Sequence, residues 1–200
     1  MNDQKPMTLP FEFLWAIIGV LLTIGGTFIE ASVADPSWLW EQKGIQVYSL
    51  GVTYQIGAVL LVGCMGGKNA AAMSQIAYLA LGLTVLPIFS EGGGMSYLAE
   101  PTFGYLLGFI PGGWVCGYLA FKAKPKLELF AFSCCCGLLA IHSLGIIYLI
   151  LYGIFSGGTI YDLSILEAID QYSFYPFPGQ LGVACAVAVL SYLLRGVLFY

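Results

Sequence analysis

Six apolar stretches, each near the length of a bilayer crossing, leave this chain few ways to fold. They cover residues 13–29, 50–65, 70–87, 103–121, 127–152 and 181–199, and between them they carry only two charged side chains, Glu128 and Arg195. A helix needs about 20 mostly apolar residues to cross the hydrocarbon, and lipid offers no partner to an unpaired backbone amide, so such stretches must coil into helices. Charged residues make up 9% of the chain, against about a quarter in a soluble domain, which excludes a sizeable soluble unit. The expected fold is all-α: one membrane domain over residues 1–200, a bundle of six transmembrane helices with structured external loops.

The connections carry most of the remaining information. Met1 to Pro10 lacks the basic region and cleavage site of a secretory signal, so the first apolar stretch is expected to persist as a helix. Residues 31–47 hold Trp38 and Trp40 beside Glu41 and Lys43, a composition suited to the membrane interface. Gly66 to Asn69 reads as a short connector, and Pro111-Gly112-Gly113 as a kink. Within residues 159–172, Ile160, Leu163, Leu166, Ile169 and Tyr172 recur at steps of three, with Asp162, Glu167 and Asp170 between them. This pattern predicts a short amphipathic helix lying on the bundle.

The run from Pro87 to Pro101 contains Gly92, Gly93 and Gly94, whose backbone can turn sharply and whose amides are candidates to face a ligand. Polar main chain of this kind must leave the hydrocarbon or line an enclosed cavity. The loop therefore reads first as a connection and second as one wall of a binding site.

Basic residues set the expected orientation. With the N-terminus cytoplasmic, Lys5, Lys68, Lys122, Lys124, Lys126 and Arg195 fall inside and only Lys43 outside. Both termini are then cytoplasmic in a multi-pass plasma-membrane protein, and the Trp38 region, the glycine loop and the 159–172 segment share the outer face. Three structured loops over one end of a bundle would enclose a pocket open to the outside.

Several chemistries are excluded. Seven basic residues scattered along an apolar chain make no nucleic-acid surface. There is no nucleophile elbow, HExxH or Walker A motif, and no carboxylate near a helix centre, so neither an enzyme nor an ion-coupled carrier is expected. Cys64, Cys116, Cys134, Cys135, Cys136 and Cys185 lack the paired spacing of a zinc site and read as small buried hydrophobes; no metal or other cofactor is expected. His142 reads as a neutral packing or cavity residue. Gln55 and Gln75 are amides inside apolar stretches and need partners, either another helix or a cavity.

Particular residue runs narrow the reading further. Gln55-Ile-Gly-Ala58, Gln75-Ile-Ala-Tyr78, Leu86-Pro-Ile-Phe89, the glycines at 92–94 and Pro101-Thr-Phe-Gly-Tyr-Leu-Leu-Gly-Phe109 resemble BioY proteins, the biotin-binding substrate components of energy-coupling-factor transporters. The likeness resumes at His142-Ser-Leu-Gly145 and from Leu166 to Gly179. It implies six helices, biotin or a related small carboxylate as ligand, and docking onto a transmembrane coupling subunit served by two ATPase subunits.

The residues implied for the ligand are Gln55, Gln75, Gly92, Gly93, Gly94, Tyr97 and Gln180, with Lys43 as an external source of charge. Tyr97 has a second reading as an interfacial anchor. For docking, Ala16, Gly19 and Thr23 offer small residues on the first helix in place of an alanine-x-x-x-alanine repeat. Two positions depart from the family pattern: Gln180 stands where an aspartate is usual and Val183 where a lysine is usual. Three outcomes stay open: a divergent biotin binder, a relative with another ligand, or a structural or assembly subunit that keeps the scaffold without the site. A lipid-modifying enzyme ranks behind these.

Overall fold

The computed structural model describes residues 9–34, 44–156, 159–160 and 163–198. Lys5, Trp38, Trp40, Glu41, Lys43 and Asp162 lie outside the described residues. The first helix, α1, spans Leu9–Thr27 and leads into an antiparallel ribbon of β1 (Glu30–Ala34) and β2 (Val47–Thr53). Next come α2 (Gln55–Thr84), a 3-10 turn (Met95–Ala99), α3 (Phe103–Ala120) and α4 (Leu127–Phe155). A two-residue ribbon, β3 (Thr159–Ile160) with β4 (Leu163–Ser164), precedes α5 (Ile165–Ile169), a π-helical turn (Asp170–Phe174) and α6 (Phe177–Leu198). Among the described residues, five helical runs are long and apolar enough to cross a membrane. The chain is a polytopic, essentially all-helical membrane protein.

The longest run, α2, is not one straight rod. At Gly67 the backbone takes φ +77° and ψ 179°, a conformation open to glycine and strained for other residues. A Cβ placed on Gly113 would lie 3.3 Å from Val59 and 3.2 Å from Ala71. In a continuous helix those two residues would stand about 18 Å apart. The Gln55 side chain also reaches Tyr78, 2.9 Å away across 23 positions of sequence. The limbs 55–66 and 68–84 are therefore antiparallel. The expected four-residue connector contracts to a reversal at one residue, with Gly66, Lys68 and Asn69 all helical.

Other boundaries move for local reasons. The stretch expected as helix from residue 50 is extended through Thr53, because Val47–Thr53 pairs with β1 before α2 can start. The first helix, expected to run to residue 29, ends at Thr27, and the ribbon begins at Glu30. Among its described residues, the segment at 159–172 is a two-residue ribbon followed by α5 and the start of the π-helical turn, so only its second half is helical. Its Ile160 and Ala168 are buried, whereas Leu166, expected on the apolar face, is 79% exposed. A capping box starts α5: Ser164 accepts from the Glu167 amide, and the Glu167 carboxylate accepts from the Ser164 amide at 2.8 Å. Helix α3 continues through Pro111 to Ala120.

Packing depends on backbone approach. On α3, Gly104, Gly108 and Gly112 face α4, and a Cβ on Gly108 would come 2.8 Å from the Ile141 carbonyl oxygen. One step round the same helix, Gly113 and Gly117 face the folded α2, where a Cβ on Gly117 would meet the Lys68 amide at 2.5 Å. Helices sharing a lipid solvent gain little from apolar burial, so such close contact supplies much of their cohesion. Gly108→Val should therefore cost about 1–3 kcal/mol by overpacking and lower the unfolding midpoint of the detergent-purified protein by several degrees. Gly25→Ala, which meets nothing within 4 Å, should leave the midpoint unchanged.

Candidate functional site

At the end of the bundle away from Gly67, β2, the glycine-rich connection and the helix ends line an open cavity of about 260 Å³. Its wall takes Gly51, Val52 and Thr53 from β2, Gln55 and Ile56 from α2, and Ser90 and Tyr97 from the glycine-rich connection. Thr102, Tyr105, Leu106 and Phe109 come from the start of α3, and Tyr172, Pro176 and Gln180 from the approach to α6. The volume lies just below the ~300–1,000 Å³ of drug-sized ligand sites, and the mixture of aromatic walls with a few polar groups is typical of a solute pocket.

Gln55, Ser90, Tyr97, Thr102, Tyr105 and Gln180 on this wall are each held by a neighbour. Tyr78, buried between the α2 limbs and α1, donates to the Ile88 carbonyl at 3.0 Å and accepts from Gln55 Nε2 at 2.9 Å; Thr27 Oγ1 lies 3.2 Å from its hydroxyl. With its NH2 group engaged there, Gln55 keeps its carbonyl oxygen as an acceptor. Tyr97, only 3% exposed, holds its hydroxyl 3.1 Å from Ser90 and 3.3 Å from Thr102. Tyr105 pairs with Ser173 at 2.6 Å. His142, the sole histidine, meets Gln180 Oε1 through Nε2 at 2.6 Å and stands edge-on to Tyr105 and Phe177. An Nε2–H donated to Oε1 leaves the Gln180 NH2 group as a donor. The cavity thus receives an acceptor from Gln55 and a donor from Gln180, each pinned from behind. Among the described residues its wall holds no lysine or arginine.

Of the residues singled out in the sequence, the structure brings Gln55, Tyr97 and Gln180 together around this space. Gln75 stands apart from it. Its side chain is fully buried and its Nε2 donates to Thr23 at 3.1 Å and Ser74 at 3.0 Å, tying α1 to the second limb of α2. The glycines also do something other than offer free amides. Gly92 N–H donates to the Phe89 carbonyl and Gly94 N–H to the Gly82 carbonyl, at 3.1 and 2.8 Å. A Cβ on Gly93 would lie 2.7 Å from the Gly82 oxygen. The loop is thus a cap packed onto the end of α2, and it seats Phe89 against Tyr97 with ring centroids 4.6 Å apart. Its part in the cavity is to deliver Ser90 and Tyr97. Lys43 lies outside the described residues.

The small residues of α1 are occupied within the chain. Ala16, Gly19 and Thr23 are buried, and a Cβ on Gly19 would come 2.7 Å from Ser74 Cβ. The outward face of α1 is instead Phe13, Leu14, Ile17 and Leu21. Val183 is 3% exposed, turned toward Gly57 of α2, and stands off the cavity wall. What sequence reasoning missed is the layer behind the wall: Tyr78, Ser173 and the coupling of His142 to Gln180. The motif Gln75-Ile-Ala-Tyr78 contained the first of these, but only the folded-back α2 brings it beside Gln55.

Comparison with known proteins agrees with this architecture. An uncharacterized 21.2 kDa protein of Cyanophora paradoxa is 28% identical over 193 residues, covering 96% of this chain and 98% of the relative. A probable biotin transporter BioY of Lysinibacillus sphaericus is 39% identical over 98 residues; the match spans 48% of this chain and only 50% of that relative. A crystal structure of the substrate component for biotin from an energy-coupling-factor transporter superposes with a TM-score of 0.65 over 96% of this chain and 95% of that one. At 17% identity, that superposition speaks for the fold. The model of the BioY family matches residues 12–198, and the chain belongs to the BioY family.

Proposed function

We propose that this chain binds biotin, or a related small carboxylate vitamin, and serves its uptake across the membrane as a substrate component with no chemistry of its own. The cavity carries this reading: an open, vitamin-sized space with one fixed acceptor, Gln55, and one fixed donor, Gln180. A ureido group needs that pairing, since its N–H groups donate and its carbonyl accepts. Tyr97, Tyr105, Phe109 and Leu106 give the apolar body of the ligand its contacts. The glycine loop supports the wall from behind, while Gln75 holds α1 to the second limb of α2.

The α2 hairpin, with limbs counted separately, supports six crossings. Limb 55–66 is only about 18 Å long, and β2 continues its path toward the surface. The concentration of Lys68, Lys122, Lys124, Lys126 and Arg195 at the Gly67 end supports a cytoplasmic location for that end, with the cavity opening outward in the plasma membrane. Partners follow from the family: a transmembrane coupling subunit and two ATPase subunits supply the energy, and the apolar outer face of α1 suits a helix of the coupling subunit better than its inward-facing small residues do.

One observation favours a second reading, a scaffold subunit that has lost its ligand: the described wall holds no cationic side chain to meet a carboxylate. Binding separates the two. Detergent-purified protein should bind biotin saturably at one site. Replacing a neutral hydrogen bond is worth about 0.5–1.5 kcal/mol, so Gln180→Leu should weaken binding about 2- to 12-fold. His142→Ala should weaken it in the same direction by freeing the Gln180 amide. Saturable binding that ignored both changes would move the site elsewhere, and no binding of biotin or related carboxylates would favour the scaffold.

Sidedness has its own test. Single cysteines replacing Glu91 and Ser164 should react in intact cells with an impermeant maleimide, whereas one replacing Lys124 should react only after permeabilisation. The reverse pattern would overturn the orientation.

A further inference from the structure

A second cluster lies toward the opposite end of the bundle. Cys64 from the first limb of α2, Cys116 from α3 and Cys134 from α4 converge, with all three sulfur atoms within 4.8 Å of one another and all three side chains buried. The Sγ of Cys64 is 3.6 Å from that of Cys116 and 3.6 Å from that of Cys134. A metal bound about 2.3 Å from each of three sulfurs in a plane needs them about 4.0 Å apart; the two 3.6 Å separations fall about 0.4 Å short of that, and the third lies within 4.8 Å.

Around the cluster, Cys116 Sγ donates to the Leu60 carbonyl at 3.5 Å, and two polar side chains of α6 are buried nearby. Ser191 Oγ is fully buried and, among the described residues, has no partner of good hydrogen-bond geometry, so it is a donor open to a neighbouring acceptor. The Arg195 guanidinium, 4% exposed and donating to the Ala120 carbonyl at 3.1 Å, lies within Coulombic range of Cys64. Ordinary packing needs small side chains at this crossing, which Gly63 and Gly137 already provide; it does not call for three sulfurs facing one point.

We propose that Cys64, Cys116 and Cys134 form a trigonal thiolate site for a soft monovalent cation, Cu(I). All-sulfur donors select such ions over harder ones, and a dry three-ligand pocket suits a low coordination number. Each thiol that ligates gives up its proton, so one Cu(I) displaces three protons and leaves a doubly negative centre. The Arg195 charge partly offsets it. The site is independent of the solute cavity: Cys64 lies about one helical turn from the reversal at Gly67, at the other end of the limb from Gln55.

The test is titration of the full-length protein, purified in detergent under reducing conditions, with Cu(I) in competition with bathocuproine disulfonate. The control Cys135→Ala/Cys136→Ala/Cys185→Ala keeps the three proposed ligands and should hold one Cu(I) per chain, as the wild type does. Loss of a supporting group around a metal typically costs 10–100-fold in affinity, so loss of a ligand in Cys116→Ala should cost about 100-fold or more. X-ray absorption on the loaded wild type, which needs no variant to fold, should show sulfur neighbours alone. Equal uptake by wild type and a folded Cys116→Ala, no copper retained by the wild type, or a nitrogen or oxygen shell around the copper would each overturn the proposal.

Discussion

The reversal of α2 at Gly67 is the constraint on which the rest of the molecule rests. A positive φ at one residue turns a run long enough for a single tilted crossing into two packed limbs. The first limb then lies beside the second, Gln55 reaches Tyr78, and Tyr78 can join α1 through Thr27 while holding the loop through Ile88. The same fold places Val59 and Ala71 on one glycine of α3, so that a single helix buries both limbs. Without the reversal Gln55 would lose Tyr78, and the solute cavity this part of its wall.

Polar groups inside the bundle are organised in tiers. In a setting where an unpaired donor or acceptor is expensive, a side chain offered to a ligand must be held by a group that is itself held. Gln55 leans on Tyr78, Gln180 on His142, and Tyr97 on Ser90 and Thr102. On the proposed function, this arrangement preorganises the cavity and gives the neutral amides a fixed direction. It also explains how a site can suit a polar solute with no charge on its described wall.

The sequence made the architecture legible where physics leaves one option. Long uncharged stretches must be helices in lipid, and polar or aromatic residues at their ends, such as Gln55, Tyr97 and Gln180, were visible as cavity candidates. It misled where identical composition serves two structures. Val47–Thr53 is apolar enough to pass for the start of a helix, yet pairs as a strand. Gln75 looked like Gln55, but its amide is spent on Thr23 and Ser74, a fact fixed only by which helix lies opposite. The glycine loop promised free amides because its acceptors, Phe89 and Gly82, are set by the folded chain. The cysteines were unreadable for a related reason: their meeting point draws on three helices and leaves no spacing along the chain.

The contact between Gln55 and Tyr78 joins the chain reversal to the cavity, and both require it. Nuclear magnetic resonance on protein carrying labelled glutamine side-chain amides and tyrosine rings would report on it. A through-space cross-peak between the Gln55 amide protons and the Tyr78 ring, shifting when biotin is added, is the predicted result. A straight α2 would hold these residues about 35 Å apart, and the absence of that cross-peak in well-folded protein would contradict the account.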